Sequence, residues 1–164
     1  MSTPEDGSGA VQLVSFYLEG RLYGLDIRVV KEINPNVDIA RVPRTPDHIR
    51  GVVNVRGQVV LVIDISVVLG RAPRPVEAES HIVILKTASE LGRVESLRSW
   101  DGLERFGDKP IAFLVDRIGD VVAFRADEVE PAPPHLTEAS SRYVEGVVRH
   151  DGEAQVLLSA EELL

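Results

Sequence analysis

One stretch of the chain occurs twice. Gly51-Val52-Val53, Gly57, Leu61-Val62-Ile63 and Leu69 align without a gap to Gly146-Val147-Val148, Gly152, Val156-Leu157-Leu158 and Leu164, at a constant offset of 95 residues. A looser match pairs Ile27, Val30, Glu32 and Ile33 with Val115, Ile118, Asp120 and Val121, at an offset of 88. Each half thus carries two strands, a proline-containing connection, a hairpin with a Gly turn and a short helix. A unit that small buries too little surface to be stable alone. The repeat therefore predicts a mainly β chain of two similar barrels packed together, about residues 11–80 and 81–164, and allows strands to be exchanged between them.

Local patterns agree with that reading. Val11–Leu18 and Leu22–Ile27 flank Glu19-Gly20-Arg21 and predict a hairpin. Val52–Val55 and Val59–Ile65 flank Arg56-Gly57 and predict a second, apolar at nearly every position, as strands buried on both faces are. Further strands are expected at His81–Leu85, Ile111–Val115, Val121–Phe124, Tyr143–Val148 and Gln155–Leu158. Short helices are expected at Pro46–Gly51, at Ile65–Leu69 with Asp64 as cap, and after Ser159, which has capping-box spacing to Glu162. Residues 1–10 are polar and acidic and predict a disordered tail without the features of a signal peptide.

Ala88–Lys109 lies outside the repeat and reads as an insert. Thr87-Ala88-Ser89-Glu90 has capping-box spacing, so a helix should start near Ser89. Trp100, the only tryptophan, is expected to pack on the barrel beside it. As an insert, the segment is expected to be dispensable for folding.

Chemistry is sparse. The chain has no cysteine, which removes disulfides, thiol nucleophiles and Cys-based zinc sites. A net charge of −8 opposes general nucleic-acid binding. Of its 18 basic residues most are arginine, suited to carboxylate pairing and protein interfaces. No phosphate-binding loop or nucleophile elbow occurs. His48, His81, His135 and His150 stand too far apart for metal-ligand spacing. Asp64, Asp116 and Asp120 end or follow apolar strands, where an Asp caps a helix or starts a turn more readily than it acts as an acid or base. No catalytic residue, metal ligand or cofactor site is therefore assigned. Gly57 is a structural turn residue, and Arg56 beside it projects from a rigid hairpin tip.

The ordered blocks Tyr23–Ile27, Val30–Ile33, Val42-Pro43, Pro46, Ile49–Gly57 and Val62–Asp64 resemble the successive signatures of the CheW family. Phe113–Val121 and Tyr143–Val147 resemble its later blocks, so the resemblance runs from about Val11 to Leu164. It implies two five-stranded, SH3-like β-barrels, with receptor contacts near the groove between them. It also implies a non-catalytic adaptor of two-component chemotaxis signalling, which joins the cytoplasmic tip of chemoreceptors to the regulatory domain of the histidine kinase CheA. Such a protein is cytoplasmic and reaches membrane receptor arrays through its partners. The positions matching the family's receptor-coupling residues are Val30, Glu32 and Arg56, and no kinase-contact residue transfers. Two departures are Leu61, where the family often has proline, and the long insert. A CheW-like scaffold of a non-motility pathway is the nearest alternative, and a ligand-binding or hydrolytic barrel a more distant one.

Overall fold

The computed structural model describes residues 10–132 and 141–164. The expected tail, apart from Ala10, lies outside the described residues, as does His135. The elements are β1 (Ala10–Leu18), β2 (Arg21–Asp26), β3 (Val30–Asn34), β4 (Ile49–Val55), β5 (Gln58–Asp64), α1 (Ile65–Val68) and β6 (His81–Leu85). There follow α2 (Ala88–Leu91), β7 (Ile111–Val115), β8 (Arg117–Arg125), β9 (Val144–His150), β10 (Glu153–Leu158) and α3 (Ala160–Leu163).

The strands form two five-stranded sheets, the first in the order β8-β1-β2-β10-β9 and the second β3-β6-β7-β5-β4. These orders are the same pattern twice. β5 runs parallel to β7 with Leu61 opposite Ile111, and β10 runs parallel to β2 with Val156 opposite Tyr23. The two offsets seen in the sequence relate these pairs position by position. The two sheets do not follow the two halves of the chain. β1 and β2 belong to the first sheet and β3–β5 to the second, while β6 and β7 belong to the second and β8–β10 to the first. Each half of the chain therefore contributes to both sheets.

Three hairpin turns share one conformation. Glu19-Gly20, Arg56-Gly57 and Asp151-Gly152 have positive φ at both central residues, 51° and 75°, 51° and 83°, and 51° and 78°. That is the φ signature of the type I′ turn, whose twist matches the twist of paired strands.

Two small cores lie within single sheets. One gathers Val53, Val60, Val62, Ile82 and Leu114 of the second sheet, and the other Leu13, Val122, Phe124, Val148 and Leu157 of the first. A larger core joins the sheets and includes Phe16 and Leu25 from one, and Ile63, Val83 and Phe113 from the other.

Several local expectations change. Pro46–Gly51 holds a turn rather than a helix: Ile49 N donates to Pro46 O at 3.0 Å, and β4 begins at Ile49. The strand wins because Asp64 N donates to His48 O across the sheet at 2.8 Å. Ser159 stands at the start of α3 but makes no capping bond. Glu162, its expected reciprocal partner, instead accepts from Arg142 at 3.3 Å. The hairpin of β4 and β5 is buried on one face only towards its tip, since Asn54 and Val59 lie together on the other and are exposed.

The 88–109 segment does begin with a complete capping box, Glu90 N donating to Thr87 Oγ1 and Thr87 N to Glu90 Oε1. Its dispensability does not fit the packing. Leu91, Leu97, Trp100 and Phe106 are all buried in the core that joins the sheets, so the segment supplies part of that core.

Candidate partner-binding site

In the second sheet the two edge strands are β3 and β4. Glu32 lies on β3, and Arg56 sits at the tip of the β4–β5 hairpin. The two side chains meet. Arg56 Nη1 donates to Glu32 Oε2 at 3.2 Å and Nη2 donates to Oε1, a bidentate pair. The contact joins one edge of the sheet to the tip of the other. Asn36 Nδ2, donating to Asn54 O at 2.9 Å, adds a second link between the same regions.

The hairpin tip is held rigidly. Asn54 Oδ1 accepts from Gly57 N at 2.8 Å, which fixes the turn from inside. Gly57 has φ +83° and open space where a Cβ would stand, so its role is conformational. Arg56 itself holds a positive φ. Its side chain is 67% exposed against 26% for Glu32, so the arginine covers the carboxylate and shows its outer face to solvent. The hydrogen bond from Arg56 holds the Glu32 carboxyl below its ordinary value, against a smaller opposing effect of burial.

Val30 goes elsewhere. A β-bulge lies between Val30 and Glu32, which face the successive residues Leu85 and Ile84 of β6. The extra residue, Lys31, turns the two side chains to opposite faces of the strand. Val30 is buried in the core between the sheets, whereas Glu32 reaches the surface. Of the three residues, the structure brings Glu32 and Arg56 together and keeps Val30 inside.

Two features of this region were not read from the sequence. Val59 is 59% exposed and sits opposite Asn54, beside the Arg56 tip. Its place in an apolar run hid it, and only strand parity separates it from buried Val60. Asn54, three residues before Gly57, is the residue that locks the turn, and that spacing was the available signal.

The carboxylates considered for chemistry have structural partners. Asp64 is fully buried and accepts from Ser66 N at 3.0 Å, Arg74 N at 2.9 Å and Arg50 Nη1 at 3.1 Å. It caps α1 as expected and also anchors the loop that follows. Asp116 pairs with Arg74 and accepts from Glu19 N at 2.8 Å. Asp120 is exposed. Among the described residues no cluster of His, Asp or Glu has the geometry to hold a metal ion, and no helix is long and apolar enough to cross a membrane.

These features define a mainly β protein of two five-stranded units joined by one core, with an ion pair between a sheet edge and a hairpin tip. The sequence model of the CheW-like domain matches residues 12–164, and the chain belongs to that family. The chemotaxis protein CheW of Klebsiella aerogenes is 26% identical over 153 residues, covering 93% of this chain and 81% of that protein. The chemotaxis protein CheW of Treponema pallidum is 28% identical over 160 residues, with the same coverage of 93% and 81%. The crystal structure of the scaffolding protein TtCheW from Thermoanaerobacter tengcongensis superposes with a TM-score of 0.72 at 26% identity, covering 99% of this chain and 89% of that one.

Proposed function

We propose that this chain is a non-catalytic adaptor that couples chemoreceptors to the histidine kinase CheA, with Glu32 and Arg56 at the receptor contact. The observation that carries the reading is the bidentate pair on the rigid hairpin tip. An exposed ion pair contributes little to a fold, yet here Asn54 and Gly57 hold the arginine in place, its outer face free to meet a carboxylate or carbonyl. Exposed Val59 beside it adds apolar surface to the same patch. Aromatic and Arg anchors next to apolar contacts are the usual centres of protein interfaces. Val30, being buried, would act by setting the position of β3 rather than by touching a partner. The kinase's regulatory domain is assigned as the second partner from family membership, without contact residues. The protein would then work in the cytoplasm and join membrane receptor arrays through these partners.

The test is reconstitution. A receptor signalling fragment, CheA and the purified chain are mixed, and receptor-dependent kinase phosphorylation is measured. The wild-type chain should stimulate it. Arg56→Ala should weaken receptor binding on the order of tenfold and lower stimulation, while leaving binding to CheA alone intact. An Arg56→Ala chain that couples as well as wild type would reject the assignment.

A further inference from the structure

A second surface stands apart from the Glu32–Arg56 pair. The connection from β3 to β4 and the loop after α1 face each other across an open groove of about 1090 Å³. Neither Glu32 nor Arg56 lines it. Five arginines do: Arg41, Arg44, Arg50, Arg71 and Arg74. Two are already committed. Arg50 donates to Asp64 at 3.1 Å, and Arg74 is held by Asp116 at 2.9 Å and Glu19 at 3.3 Å. These bonds tie the loop after α1 to both sheets and make one wall of the groove rigid.

The other three have no carboxylate among the described residues. Arg41 and Arg44 are exposed on the opposite wall. Arg71 is half-buried, its guanidinium 5.9 Å from the centre of the Tyr23 ring, and its Nη1 is closed off from solvent without an acceptor among the described residues. Among the described residues, Asp47 is the only carboxylate lining the groove. On a chain of net charge −8, this is a local reversal of sign. Between the arginines the walls are apolar, with Val42, Val67 and exposed Val76 set among Pro43, Pro46 and Pro73.

We propose that this groove docks an acidic segment of a partner protein in which apolar side chains alternate with carboxylates. Arg41 and Arg44 take the carboxylates, Arg71 adds positive charge at the floor, and the valine and proline walls take the apolar side chains. Charge complementarity selects an anion, since unpaired arginines are suited to bidentate carboxylate binding. The apolar walls select a peptide over a bare phosphate, which would leave them exposed. The prolines fix φ along both walls, which lowers the ordering cost of binding.

The test uses the full chain and a labelled peptide of alternating Glu and Leu, read by fluorescence anisotropy. Binding should weaken as salt rises. It should fall about tenfold or more in the double variant Arg41→Glu/Arg44→Glu, whose melting temperature should match wild type. If charge reversal perturbs the fold, Arg41→Gln/Arg44→Asn replaces it, Asn being tolerant of the positive φ at position 44. Four results would overturn the proposal: no binding by the wild-type chain, equal binding of the Gln-for-Glu peptide, equal binding by the arginine variants, or equal binding of a Glu/Ser peptide. The last would make the groove a plain anion sink. Because the receptor-coupling pair is untouched, failure here leaves the adaptor reading standing.

Discussion

Glu32 and Arg56 close one barrel with an ion pair that the matching positions of the other barrel do not make. The matching positions in the first sheet are Asp120 and Asp151, both acidic. Two carboxylates cannot pair as Glu32 and Arg56 do, although the turns that carry Arg56 and Asp151 have the same backbone φ. The fold therefore does not require the pair.

The pair has a pH signature. The folded-state pKa of Glu32 lies below its ordinary value of 4.5, chiefly because of the hydrogen bond from Arg56. A depressed carboxyl contributes stability above its unfolded value and loses it as pH falls through the folded value. The contribution is thus complete at neutral pH and lost only under acid, below the ordinary Glu range. NMR titration of the Glu32 side chain should show the depressed value, and Arg56→Ala should bring it back up. Thermal unfolding at neutral pH should change little in that variant, as befits an exposed pair. A large loss of stability would make Arg56 a structural residue.

Gly102 tests whether the 88–109 segment is core. A methyl group there would stand 2.4 Å from Cζ2 of Trp100, closer than atoms can approach. Trp100 packs at 5.6 Å from Phe106 and has little room to yield. Gly102→Ala should therefore destabilise the protein by about 1–3 kcal/mol, the usual cost of overpacking. As Trp100 is the only tryptophan, its fluorescence reports the change directly. Deletion of residues 88–109 should leave the chain unfolded, because four buried side chains of the joining core go with it.

The two repeat glycines make a paired comparison. A Cβ on Gly51 would lie 2.1 Å from Ala40 O, and one on Gly146 would lie 2.6 Å from Glu130 O. In both places a passing segment bonds to the strand, Ala40 to Val52 and Glu130 to Val147. Gly51 also has φ +141°, which an L side chain rarely adopts. Both alanine variants should lower the melting temperature, Gly51→Ala by more. Equal or negligible effects would show that the bridges shift at little cost.

Local codes were legible and long-range ones were not. Gly20, Gly57 and Gly152 marked their turns, because a type I′ turn demands positive φ at that place. Thr87 and Glu90 marked their helix through a bond spanning three residues. Ser159 and Glu162 carry the same spacing, but Arg142, distant in sequence, claims the glutamate. The burial of Val30 depends on a bulge that only pairing with β6 creates. In the groove, Arg50 and Arg44 are the same residue type six positions apart. One is paired and the other has no carboxylate partner among the described residues, because Asp64 is brought to the first by the fold of β5.

The strand exchange makes a prediction about folding. A fragment ending near residue 80 holds β1 to β5, but its two hairpins lie in different sheets. Alone, it would leave the first sheet without β8, β9 and β10 and the second without β6 and β7. β2 would lose its parallel neighbour β10, and β5 would lose β7. The joining core would lose Val83, Phe113 and Leu163. Each half should therefore be unfolded when purified separately, with unpaired strand edges that favour aggregation. Mixed from denaturant in equal amounts, residues 1–80 and 81–164 should recover the β-rich circular dichroism and cooperative melting of the intact chain. The fragments meet by a bimolecular step, so the midpoint should rise with their concentration. Independent cooperative unfolding of either half would show that it forms a barrel by itself and that the exchange is not needed for stability.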